Sequence, residues 1–220
     1  MKANFIVLLL LALCRPAFAA DLASEVQAIA QAVDNHYNRL QTLQTEFTET
    51  YRGAGIERKE SGSLWLKKPG KMCWEYRSPK EKLFLSDGKN AWFYLPGDRQ
   101  VRRTSVKKLD DLRSPLGFLL GKTRLEKELE GLSVAPDLAP LTPGDTVLRG
   151  IPKAMADRIR EVILEITPDH RIARIQFEEV DEAVTEYRFD GQKENAMIAD
   201  QRFRFEVPPG VEVIEGEFGP

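Results

Sequence analysis

Apolar residues return every three or four positions from Leu22 through Val26, Ile29, Val33, Tyr37 and Leu40 to Leu43 and Phe47. That spacing draws one stripe along an amphipathic helix of about six turns. Near Thr45 the period changes. In TEFTETYR apolar and polar residues alternate, which predicts a strand with one buried face. More strand-like runs follow at short intervals. GSLWLKK and KMCWEYR are joined by Pro69-Gly70, while KLFLS and NAWFYL flank Asp87-Gly88, both pairs that favour tight reversals. A third turn at residues 96–98 leads into RQVRRTSV. Further on, DTVLRGI, REVILEIT, RIARIQFEEV and AVTEYRF read as strands, and RFRFEV is the last, closed by Pro208-Pro209-Gly210. Between the two groups, Asp110 and Asp111 favour a helix start, and Pro115 fits the first turn of a short helix over 116–120. Residues 122–145 carry no readable period.

The pattern predicts an α+β fold of roughly ten antiparallel strands, with a long N-terminal helix and short helices midway. A sheet of that size twists and curls toward an incomplete, open barrel. Its inner face must then be filled, and the long helix and the 116–120 segment are the candidates. No internal repeat and no linker divides the chain.

Residues 1–19 stand apart. Lys2 is followed by an apolar run from Phe5 to Leu13 and then by Ala17-Phe18-Ala19, the small-residue pattern of a secretory cleavage site. The expectation is a cleaved signal peptide over 1–19 and a single domain over 20–220. Leu11-Ala12-Leu13-Cys14 competes as an acylation box, but Leu13 occupies a position where a small residue is usual. Without the leader one cysteine, Cys73, is left, so no internal disulfide is expected and the core alone must hold the fold. A formal charge of -2 gives no reason to expect nucleic acid as a partner.

Catalytic chemistry is hard to assemble from what remains. The two histidines, His36 and His170, lie in separate segments, too few for a zinc site with one cysteine. No nucleophile elbow, P-loop or dinucleotide fingerprint occurs. Neither an enzyme nor a cofactor or metal is expected. Residues 99–108 form the most basic run, read as an edge strand protected by charge or as a docking surface for acidic groups.

Aromatic side chains are unevenly spread: residues 64–95 hold seven of the chain's nineteen, Trp65, Trp74, Tyr76, Phe84, Trp92, Phe93 and Tyr94. Leu83-Phe84-Leu85 and Trp92-Phe93-Tyr94 are apolar on both sides of a strand, whereas a sheet with one wet face alternates. Both faces must therefore be covered. Two accounts are open. The region is an ordinary core between the helix and a flanking loop, or the inner face exceeds what its own helices fill and leaves an apolar cavity for a ligand.

GSLWLKKP, the Trp74-Glu75-Tyr76 triplet and LSDGKNAWFYLPGDRQV together resemble the periplasmic outer-membrane lipoprotein carrier family, LolA. SPLGFLLG and FRFEVPPGVEVI add to the resemblance, which is weakest over residues 122–160. It implies an incomplete β-barrel with a lid of helices over a hydrophobic cavity, acting as a monomer. It implies acylated lipoproteins as cargo, taken from an inner-membrane lipoprotein-releasing ABC transporter and passed to an outer-membrane receptor of the LolB type. A periplasmic carrier or sensor of another lipid or glycolipid is the competing reading.

Carried over by position, Met72 and Trp74 match aromatic positions at the family's cavity mouth, Phe84 an inward leucine, and Leu116, Phe118, Leu119 and Leu120 the lid. Alternation independently puts Met72, Trp74 and Tyr76 on one face. Whether Leu64 and Leu66 or Trp65 join them depends on a register that Pro69-Gly70 leaves open. The expected cavity lining is Leu64, Leu66, Met72, Trp74, Tyr76, Phe84 and Trp92. Lys68 stands where the family has an arginine that holds lid carbonyls, so it is the expected latch.

Overall fold

The computed structural model describes residues 16–109, 119 and 124–216, with side chains from residue 22 onward except at 108 and 109. Helix α1 spans Pro16–Arg39, shorter at its C-terminal end than the hydrophobic spacing predicts. Strand β1, Thr42–Gly53, already contains Leu43 and Phe47. A step of four residues keeps a side chain on one face of a helix and equally on one face of a strand, so the stripe runs unbroken across the junction. Val26, Ala30, Val33 and Tyr37 are buried along α1 and Leu40 just beyond it, while Leu22 is 44% exposed.

The end of α1 is well capped. Lys68 Nζ donates to the Tyr37 carbonyl at 2.7 Å and to the Asn38 carbonyl at 3.0 Å, satisfying two acceptors of the last turn with a positive charge at the negative end of the helix. The Tyr37 hydroxyl accepts from the Ile172 amide at 2.8 Å, and His36 Nε2 lies 2.8 Å from Glu194 Oε1. Asp34 accepts from the Leu125 amide, tying the middle of α1 to a second segment of chain.

Among the described residues twelve strands form one sheet. After β1 come β2 (Ile56–Lys67), β3 (Lys71–Ser78), β4 (Lys82–Asp87), β5 (Asn90–Tyr94) and β6 (Gln100–Ser105). Two one-turn helices, α2 (Val106–Leu109) and α3 (Leu125–Glu128), precede β7 (Leu129–Val134). Then follow β8 (Thr146–Pro152), β9 (Ile159–Ile166), β10 (Ile172–Glu179), β11 (Val184–Glu194) and β12 (Glu212–Glu215). The order across the sheet is β12-β6-β5-β4-β3-β2-β1-β11-β10-β9-β8-β7, so β12 and β7 are its two edges and the sheet is open. Asp87 Oδ1 accepts from the amides of Lys89 and Asn90, both at 2.7 Å, while Gly88 takes φ +93°, which fixes the β4–β5 hairpin. Gly62 serves another need. A Cβ there would come within 1.9 Å of the Glu75 carbonyl, so only glycine allows β2 and β3 to approach at that bulge.

One apolar cluster gathers α1 and Leu125 of α3 with inward residues of strands from β3 to β7, eight neighbours in the sheet, so that one face of the sheet lines a single core. We call this the inner face.

Two expectations are corrected at the C-terminus. RFRFEV does not form a strand: Asp200–Phe203 is a 3₁₀ turn, and residues 204–207 pair with no strand. Its two-residue period reflects Phe203 and Phe205 facing the outer side of the sheet, where they join Trp65, Cys73, Leu85 and Ile198. Periodicity reports which face is buried, not which backbone is paired. The basic run is likewise not an edge, because β12 returns to pair with β6 in parallel, the one parallel pairing in the sheet, and Arg103 pairs with Glu215 across it. A second outer cover, residues 135–145, is held by Glu165, which accepts from the amides of Leu141 and Thr142 and pairs with Arg174 at 2.8 Å.

Candidate functional site

Strand registers settle what lies on the inner face. Leu64 pairs with Trp74, Leu66 with Met72, and Trp65 with Cys73. Leu64, Leu66, Met72 and Trp74 therefore point inward and belong to the inner core, while Trp65 points out and packs with Cys73. Phe84 stands opposite Trp74 and Tyr76 opposite Lys82, both half-buried, with Tyr76 and Phe84 packed against the same core. Six of the seven expected lining residues thus share one surface.

Trp92 is the exception and a correction. Phe84 pairs with Phe93 and Leu85 with Trp92, so it is Phe93 that shares the inner row. Trp92 faces outward, its ring 6.0 Å from that of Phe205 and nearly parallel to it. Trp92 and Phe93 are equally apolar neighbours, and only the hairpin register tells them apart.

Of the expected lid residues, Leu119 is buried within the inner core; Leu116, Phe118 and Leu120 lie outside the described residues. Lys68 does hold carbonyls, but among the described residues they are those of α1, not of the 116–120 segment. Partial burial lowers the affinity of its amine for a proton.

Rows of inward side chains can be read from the Lys68 end of the sheet. Leu43, Leu66 and Met72 lie nearest, then Leu64, Trp74, Phe84 and Phe93, then Phe47 and Tyr76. Phe47 meets Trp74 edge-on at 5.0 Å and Tyr76 at 4.9 Å, and Trp74 stacks on Tyr76 at 5.8 Å. Tyr187 of β11 closes the group, edge-on to Trp74 at 5.5 Å. Edge-to-face contacts of this kind lock ring orientations.

The next row is charged. Glu49 and Glu60 stand directly opposite each other on β1 and β2, both buried. Glu60 is neutralised by Lys82 Nζ at 2.5 Å, with Arg58 Nε at 3.7 Å. Glu49 accepts from the Tyr76 hydroxyl at 2.6 Å. Burial, with the Glu60 charge adding to it, holds its carboxyl above the usual range against that hydrogen bond. Burial pushes the Tyr76 and Tyr187 hydroxyls upward as well. This row was missed in the sequence, although a signal existed: in TEFTETYR, Glu49 is in phase with Phe47.

Among the described residues no group of three histidines, cysteines or carboxylates is arranged to hold a metal, and no helix is long and apolar enough to cross a membrane. Cys73 lies on the outer face, where burial pushes its thiol up to about 11, so it is held as an inert thiol.

Related proteins agree with this architecture. The chain is 29% identical over 203 residues to an outer-membrane lipoprotein carrier protein of Chromobacterium violaceum, covering 91% of this chain and 95% of that one. It is 28% identical over 222 residues to the protein of the same name from Alkalilimnicola ehrlichii, covering 100% and 99%. Among solved structures, the Mycobacterium tuberculosis lipoprotein LppX superposes with a TM-score of 0.53 at 15% identity, covering 80% of this chain and 98% of that one. An uncharacterized conserved protein from Thermus thermophilus gives 0.56 at 14%, covering 87% and 99%. At those identities the likeness shows a common fold. Residues 38–206 match the family described as outer membrane lipoprotein carrier protein LolA, and this chain belongs to it.

Proposed function

We propose that the protein is a periplasmic carrier of acylated lipoproteins, shielding their acyl chains on the inner face. The observation that carries this reading is the continuous apolar surface from Met72 and Leu66 through Leu64 and Trp74 to Phe47, facing the one long helix. Family membership supports it, as do the outer-membrane lipoprotein carriers among its relatives.

The energetics explain why a carrier is needed. Burying a methylene is worth about 0.8 kcal/mol, so three chains of roughly sixteen carbons would expose on the order of 35–40 kcal/mol of unfavourable surface in water. Transit through an aqueous compartment without cover is ruled out. The cover must also yield: α1 and the segment carrying Leu116, Phe118, Leu119 and Leu120 would part from the sheet to admit the chains. Lys68 would govern the α1 side of that motion through its two carbonyl bonds. Loading would occur at an inner-membrane ABC transporter and unloading at an outer-membrane receptor of the LolB type, the receptor binding the chains more tightly.

The test is release from spheroplasts making a labelled lipoprotein. Soluble one-to-one complexes with the added protein are expected. If free lipid co-purifies and no lipoprotein leaves the membrane, the reading gives way to a carrier or sensor of another lipid.

A further inference from the structure

Three observations meet where the apolar inner surface ends. Trp74 is only 6% exposed, and its buried Nε1–H has no hydrogen-bond partner. Native interiors rarely leave such a donor unmet, and one that persists calls for an explanation. Second, Glu49 is 8% exposed and is hydrogen-bonded by neutral tyrosines, Tyr76 at 2.6 Å and Tyr187, while the cations of the row, Lys82 and Arg58, sit on Glu60. Third, the donor and the acceptor belong to one aromatic box: Trp74 stacks on Tyr76, which holds Glu49, and Tyr187 closes the side.

We propose that this box seats the amide of an N-acylated ligand, Trp74 Nε1 donating to its carbonyl and Glu49 accepting from its N–H. The acyl chain would then run toward the Lys68 end over Leu64, Met72 and Leu66. An ester presents acceptors only; it answers Trp74 and leaves the carboxylate of Glu49 facing a lone pair. A free carboxylate or phosphate would bring like charge against Glu49. The seat therefore selects acyl chains joined through an amide over those joined through an ester. This inference rests on the carrier reading and names the part of the cargo that the inner face recognises.

The test uses two probes that differ by one N–H: N-(2-hydroxyethyl)palmitamide and 2-hydroxyethyl palmitate. Their affinities for the purified protein are compared by calorimetry. The amide should bind at least about tenfold more tightly, the effect of one hydrogen bond to a charged group. In Glu49→Gln, which keeps an acceptor but loses its charge, the ratio should fall several-fold, and Trp74→Phe should weaken both probes. Equal binding of the two by the unaltered protein overturns the seat and leaves the carrier reading standing. Binding of neither overturns the carrier reading, and the seat with it. The wild-type ratio decides the matter even where a variant fails to fold.

Discussion

The inner and outer faces of β2–β5 are built from the same strands and are almost equally aromatic, yet they are closed in different ways. On the outer side the C-terminal segment is fastened at several points. Asp200 pairs with Lys67 at 2.7 Å and Lys71 at 3.1 Å, Lys67 Nζ donates to the Ile198 carbonyl at 2.9 Å, and Arg202 stacks over Trp65 at 4.2 Å. Phe203 and Phe205 fill what lies between. The inner side keeps a buried indole N–H unmet and a buried carboxylate without a cation of its own. On these strands the outer cover is pinned by ion pairs and hydrogen bonds, whereas the inner side holds a buried donor, Trp74 Nε1–H, that lacks a partner.

The strongest way to break this distinction is Phe203→Ala. The side chain is 2% exposed in the outer cluster, and removing a buried phenylalanine costs about 3–5 kcal/mol. Denaturant unfolding should show that loss, while lipoprotein release per folded molecule stays at the wild-type level. Loss of release in a protein shown to be folded would mean that the outer cover takes part in carrying.

A smaller effect separates helix from sheet on the inner side. Lys68→Met removes two hydrogen bonds to the end of α1 and should cost about 1 kcal/mol. Amide hydrogen exchange at residues 37–41 should quicken. Lys68→Arg keeps donors in a stiffer fork and should restore protection there. If exchange changes at residues 115–121 and not at 37–41, the lysine latches the lid rather than α1.

Much of this was legible beforehand. The hairpins at Pro69-Gly70 and Asp87-Gly88, the inward trio of Met72, Trp74 and Tyr76, and the need to cover both faces all follow from local chemistry. Other features did not. The end of α1 was hidden because Leu43 and Phe47 fit either period. Trp92 was misplaced because the register of β4 against β5 is not written in either strand alone. RFRFEV looked like a strand because two phenylalanines two residues apart bury the same way with or without a ladder. Each failure concerns which backbone is paired and in what register, which a one-dimensional pattern does not contain.

The finest test lies in the titration of Glu49. Tyr76 and Tyr187 face it with hydroxyls, Glu60 with a like charge, and Lys82 and Arg58 with opposite charges. Burial dominates and raises its folded-state pKa above the ordinary 4.5. Above that raised value the native state holds a desolvated carboxylate that the unfolded chain hydrates freely, so stability is lowered. As pH falls through the folded value the native state takes up its proton first, and below 4.5 the penalty is gone. Glutamine has the shape of the protonated acid at every pH, and its carbonyl can still accept from Tyr76. Glu49→Gln should therefore raise the melting temperature at neutral pH, with the gain shrinking on acidification and vanishing once both forms of the wild type are protonated. A gain independent of pH would trace the effect to packing instead of charge. The substitution that steadies the protein is thus the one expected to weaken its preference for an amide, as it should be if the buried carboxylate is kept for a ligand.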